Sequence, residues 1–252
     1  LTWRQSREAI AMHRYLLFLT FFFLFVNSMY GGTASIEEGN EYLEREEYDK
    51  AISIFEKVVA QSVEAETSAV ASTKLAECYI CKGDYTKAKE ILNEVLKRYP
   101  GIEGLPSAML HLAFAYRERG ALGEAKVLLK QINENFPNTE IGQFALGIYY
   151  EDEGEWEKAI EMYKAVIEFK GSQRLFALFQ LGECFYLLGE YDSALNAFQQ
   201  LLKECNNKFE KSTQTKMFIA WCYEHQFNFS SAIDYYFSLL KNLPPDQSTP
   251  FK

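Results

Sequence analysis

Two thiols stand in a CxxC spacing at Cys78 and Cys81, an arrangement that can share a metal ion or exchange a disulfide. A structural zinc site needs a second such pair, and haem attachment needs a histidine directly after the second cysteine; neither is present. Five cysteines among 252 residues is an odd number, and too sparse for a disulfide framework. His111 and His225 are far apart in sequence, so a metal site or triad built on them needs partners from distant segments. The HExxH, GxSxG, GxGxxG and Gly-rich phosphate-loop patterns do not occur. Carboxylates gather at Glu37-Glu38, from Glu44 to Glu47 and from Glu151 to Glu155, and read as solvated helix ends unless they share a functional face. The chemistry on offer is that of a binding surface, not of an enzyme, and no cofactor or metal is expected.

Composition excludes several partner classes. With 48% hydrophobic and 15% aromatic residues, the chain is far too apolar for intrinsic disorder. Lys and Arg number 26 against 35 Asp and Glu, a net charge of −9, the wrong sign for nonspecific binding to nucleic acid or anionic lipid. Met12-His13-Arg14 precedes an uncharged apolar run, Tyr15 to Val26, and then a small-residue stretch from Gly31 to Ser35. That order describes a secretory signal peptide with cleavage at Gly32-x-Ala34. The run is shorter than the roughly 20 residues of a membrane span; an uncleaved N-terminal anchor is the alternative. The expected organisation is an extension and signal over residues 1–34, a repeat array over 35–244 and a short tail over 245–252. The mature protein would have no membrane span and would work outside the cytoplasm, in a bacterial periplasm or an equivalent compartment.

Any binding surface must be positioned by a repeat. Six alanines, Ala51, Ala88, Ala125, Ala159, Ala194 and Ala232, anchor a self-similar block of 34 to 38 residues. Twelve residues before each anchor sits a small residue: Gly39, Ala76, Ala113, Gly147, Gly182 and Ala220. Nine before it is an aromatic: Tyr42, Tyr79, Tyr116, Tyr150, Phe185 and Tyr223. Five before it, Gly83, Gly120, Gly154 and Gly189 mark where a first helix must stop, with Glu46 and Phe227 in that slot in the first and last blocks. Three before it is Tyr48, Tyr85, Leu122, Trp156, Tyr191 or Phe229, and four after it Phe55, Leu92, Leu129, Tyr163, Phe198 or Tyr236. Small residues let two helices approach closely, and the aromatics are knobs packed beside that contact. Pro100, Pro137 and Pro244 follow second helices, and Pro106 opens a first helix.

In this order of residues the chain resembles the tetratricopeptide repeat (TPR) family over about residues 34 to 244. The resemblance implies an all-α fold, a right-handed superhelical solenoid of about six helix-turn-helix repeats. Blocks two and three, which end in Tyr-Pro and Phe-Pro, resemble the TPR flavour of bacterial cell-envelope proteins, the outer-membrane-assembly and Tol-Pal-associated type. In this family first helices line an inner groove, at positions 18, 15, 11, 8 and 7 before the anchor. Carried over, those positions include Leu110, Phe114, Phe144, Ile148, Phe176, Phe179, Tyr186, Met217 and Trp221, edged by Glu151, Glu183 and Glu224. The carboxylate clamp of chaperone-binding members is missing, with Asn40 and Arg117 its only hints. Such a groove suits an apolar protein segment with basic flanks.

The ten-before slot holds Cys78, Cys184 and Cys222, where a small buried residue is usual; a redox role, if any, falls to Cys81 or Cys205. The last helix carries Tyr235 and Phe237 on faces with no obvious partner, so the C-terminal end is expected to dock another protein or a second copy. The expected function is an exported, non-enzymatic scaffold organising a multi-protein assembly in the cell envelope. Chaperone-like capture of peptides or unfolded clients, and an accessory role in an envelope enzyme complex, are the alternatives.

Overall fold

The repeat marks translate directly into helices. In the computed structural model, which describes residues 34–206 and 208–241, twelve helices and no strand occur among the described residues. The first repeat is α1 (Ile36–Glu44) and α2 (Tyr48–Gln61), the second α3 (Ala65–Lys82) and α4 (Tyr85–Arg98), the third α5 (Leu105–Glu118) and α6 (Leu122–Asn135). The fourth is α7 (Glu140–Asp152) and α8 (Trp156–Phe169), the fifth α9 (Arg174–Leu187) and α10 (Tyr191–Cys205), the sixth α11 (Ser212–His225) and α12 (Phe229–Leu240). The leader with its apolar run, Gly32, Pro244 and the tail 245–252 lie outside the described residues.

One turn is used six times. Gly83, Gly120, Gly154 and Gly189 all adopt φ of 75 to 80°, and Glu46 and Phe227 adopt the same left-handed conformation at 60° and 59°. In every case the residue after this slot donates its backbone N–H to the carbonyl of the aromatic nine before the anchor, as in Asp84 to Tyr79 at 2.9 Å and Asn228 to Tyr223 at 2.8 Å. This is the double-bonded cap that ends a helix in a left-handed residue. The first and last repeats keep it without glycine, at a cost of about 1 kcal/mol each.

The anchors Ala51, Ala88, Ala125, Ala159, Ala194 and Ala232 are all buried. In repeats one to five the slot twelve before the anchor is matched in volume to the side chain four after it. Gly39, Gly147 and Gly182 face Phe55, Tyr163 and Phe198: a Cβ on these glycines would lie 2.6 Å from a ring carbon in each case, well inside contact distance. Ala76 and Ala113 occupy the slot in the repeats that carry Leu92 and Leu129 instead. Repeat six joins Ala220 to Tyr236, which stays half-buried at the end of the described array. The summed volume is what the helix crossing conserves.

The chain divides into two compact units, up to Val95 and from Leu96 onward. In the first, α1 packs on α2 and α2 on α3 around Ala51, Phe55, Val58, Ala71, Leu75 and Cys78. In the second, α5 to α12 pack each on the next, and first helices also meet, α5 with α7 and α9 with α11. That last pairing builds a wall.

Candidate partner-binding wall

A first helix in the second unit is covered by its own second helix on one side and by neighbouring helices on another, so only a narrow strip of it faces outward. Phe114, Phe176, Tyr186, Met217 and Trp221 are half-buried on that strip, and Glu224 is exposed. Leu110, Phe144, Ile148 and Phe179 are not available: each is 2% exposed or less. Phe144 packs between Phe114 and Tyr163, with ring centroids 6.5 and 5.8 Å away, and Phe179 against Phe198 and Phe218 at 6.1 and 5.9 Å. The position 15 before the anchor therefore belongs to the core in repeats three to five, and so does Ile148, 11 before the anchor in repeat four, which corrects the expectation that these four residues line the groove.

The wall has a polar node at its centre. Arg117 on α5 donates to Asp152 Oδ1 at 2.9 Å and to Glu151 Oε1 at 3.3 Å, both at the end of α7. Glu151 Oε2 also accepts from the Tyr163 hydroxyl at 2.7 Å and from Gln180 Nε2 at 2.6 Å. Burial, and then the charge of Glu151, push the Tyr163 phenol well up, so it remains a donor. The Asp152 side chain is 9% exposed, and its Oδ2 is buried without a partner. Arg117 is thus spent on its own chain and cannot serve as a clamp for a partner's carboxylate. Glu183, one turn along α9 from Gln180, is half-buried. Burial and then the Glu151 charge raise it to about 7, opposed by Lys211 and Arg117.

Beside Glu183 the wall turns aromatic. Tyr186 lies 5.4 Å from Phe218 and 6.3 Å from Trp221, with Phe218 and Trp221 5.0 Å apart, centroid to centroid. His225 stacks on Tyr191 at 4.7 Å and meets the Tyr186 hydroxyl at 3.2 Å. Lys211, preceding α11, holds its ammonium 4.6 Å from the ring centroid of Phe179. Gln180, Phe218 and Lys211 were not foreseen. The first two stand 14 before their anchors, one residue beside an expected position; that they share a face with positions 11 and 18 follows from 3.6-residue periodicity.

Elsewhere the expectations divide. Tyr235 is half-buried and packs on Tyr223 at 5.9 Å, which corrects its reading as unpartnered. Phe237 is 60% exposed, in a stripe with Phe229, Ile233 and Leu240. The position five after the anchor is polar in the other five repeats: Glu56, Asn93, Lys130, Lys164 and Gln199. Cys78, Cys184, Cys205 and Cys222 are buried and Cys81 is exposed. Burial pushes the thiols of Cys78 and Cys222 up to about 12 and that of Cys184 higher still. Among the described residues no cluster of metal-ligating side chains occurs, and no helix is long and apolar enough to cross a membrane.

Comparison with known proteins places this architecture. No protein in a search of curated sequences matches the chain. The crystal structure of MamA is similar, with a TM-score of 0.53 at 20% identity over 69% of this chain and 90% of that one. A chain in the crystal structure of the APC/C hetero-tetramer Cut9-Hcn1 is similar with a TM-score of 0.63 at 18% identity, over 82% of this chain but 39% of that one. These likenesses share the fold. Family models described as tetratricopeptide repeat match residues 42–105, 107–139, 144–170 and 176–205, more than half of the sequence. The chain belongs to the tetratricopeptide repeat family.

Proposed function

We propose that this protein is a non-enzymatic scaffold that binds protein partners along the α9–α11 wall and organises an assembly outside the cytoplasm. The observation that carries the reading is the strip of half-buried rings, Tyr186, Phe218 and Trp221, beside Glu183 and Glu224, an anchor surface edged with negative charge. An apolar segment with basic flanks suits it. The signal-like leader and the Tyr-Pro and Phe-Pro repeat ends support an envelope location. The stripe on α12 supports a second contact, with another protein or a second copy of the chain.

Crosslinking of the full chain in its own cell, followed by mass spectrometry, tests the wall. One partner in fixed proportion, lost in Trp221→Ala and Tyr186→Ala at unchanged helicity, is the expected result. Many partners in small amounts would favour client capture, and a single partner retained in both variants would move the site off the wall. Intact mass of native protein tests export, the expected mature N-terminus being Ser35.

A further inference from the structure

Among the charged side chains of the wall, Glu183 stands apart. Arg117, Glu151 and Asp152 engage one another, and Glu151 also accepts from Tyr163 and Gln180. Glu183 is half-buried yet makes no hydrogen bond or ion pair among the described residues. It lies three residues before Tyr186, hence on the same face of α9, and α9 packs against α11, which carries Phe218 and Trp221. Three half-buried rings therefore share the α9–α11 wall with a carboxylate that makes no direct ion pair, Lys211 and Arg117 acting on it only through space. The chain itself places a cation over a neighbouring ring, Lys211 on Phe179.

We propose that this corner of the wall is a subsite for an arginine side chain of a protein partner, the guanidinium stacking on Tyr186 and Trp221 and pairing with the Glu183 carboxylate. The inference rests on the reading of the wall as a partner surface and names what one part of it accepts. A guanidinium is planar and weakly hydrated, so it stacks on aromatic faces at less desolvation cost than an ammonium. The net charge of −9 favours approach of a basic segment. Pairing requires Glu183 to be ionised. Its carboxyl is held at about 7 by burial and by Glu151 on α7, against Lys211 preceding α11 and Arg117 on α5. Binding should therefore strengthen from pH 6 to pH 8 as the carboxyl loses its proton.

The probe is a short apolar peptide, acetylated and amidated, carrying one arginine, together with its twin bearing neutral citrulline at that place. With the full chain at pH 8, the arginine peptide is expected to bind about tenfold tighter than the twin. That ratio should shrink at pH 6. In Glu183→Gln the two peptides should bind alike at both pH values, and in Trp221→Ala both should weaken. Circular dichroism and melting of each variant show whether it is folded. Equal binding of both peptides to wild type, or a preference that survives Glu183→Gln, overturns the arginine subsite and leaves the wall as a peptide surface. Binding of neither peptide also overturns the subsite, and the wall then stands or falls on the crosslinking result with Trp221→Ala.

Discussion

Gly182 and Phe198 offer a direct test of the volume rule inside each repeat. A Cβ on Gly182 would lie 2.6 Å from Phe198 Cζ, about 1 Å short of ordinary contact, and the ring is fully buried. Gly182→Ala gains about 1 kcal/mol of helix propensity but forces the ring to shift in a packed core, at about 1–3 kcal/mol. The net expectation is a loss of about 1 kcal/mol. In a Phe198→Leu background, which reproduces the pairs Ala76 with Leu92 and Ala113 with Leu129, the clash is gone and only the propensity gain remains. The same substitution should then stabilise by about 0.5–1 kcal/mol. The sign of Gly182→Ala thus reverses between the two backgrounds, a coupling of about 2 kcal/mol, typical of residues in contact. Urea denaturation of the four proteins measures it. An equal loss in both backgrounds would refute the pairing of small slot with ring.

Four further outcomes follow from the same structure. In the native state a thiol reagent at neutral pH should modify Cys81 alone, with the other four reacting only after unfolding; peptide mapping checks this, and fast labelling of Cys78 would contradict its burial. Arg174 grips Glu204 through two bonds of 2.7 and 2.8 Å and, with Gln200, holds its carboxyl near 2, below the ordinary 4.5. Stability from that pair is present above pH 4.5 and lost as pH falls towards 2, so Glu204→Gln should flatten the acid limb of melting temperature against pH. Phe227→Gly should raise the melting temperature, because it relieves a left-handed φ of 59° on a side chain that is 80% exposed; the gain is at most about 1 kcal/mol, and a clear loss would argue against the turn. Tyr163→Phe keeps the ring that Phe55 and Phe198 provide in their own repeats but removes a donor to Glu151, so it should cost about 1–2 kcal/mol in denaturant unfolding, with no loss expected if that bond is absent.

The repeat was legible because its marks are local and repeated. An alanine at each crossing, an aromatic nine before it and a glycine five before it recur, and each has one physical use. The turn held even where glycine was absent: at Glu46 and Phe227 the flanking helices impose the left-handed residue that glycine elsewhere adopts freely. The site was legible only in part. A family position says which helix face a residue occupies, but not how deeply neighbouring helices cover it. Phe144 and Phe114 were both expected on the groove, yet Phe144 lies between two rings and Phe114 does not.

The polar node shows why depth matters. Glu151 stood in a run of carboxylates that reads as a solvated helix end, and one helical turn of sequence cannot reveal Arg117 or Gln180, which come from α5 and α9. Nor does it reveal Tyr163, whose ring fills the crossing beside Gly147 while its hydroxyl reaches the wall. Core and surface are joined at that residue. The volume rule leaves Gly147 opposite an aromatic, and a tyrosine at that place both fills the crossing and donates a hydrogen bond to a half-buried carboxylate. With Glu151 held by three donors, the neighbouring Glu183 is the carboxylate left without one. A wall built in this way ties Arg117, Glu151 and one oxygen of Asp152 together in repeats three and four, and leaves the Glu183 carboxylate of repeat five without a direct partner, on the wall that carries the rings best suited to a cation.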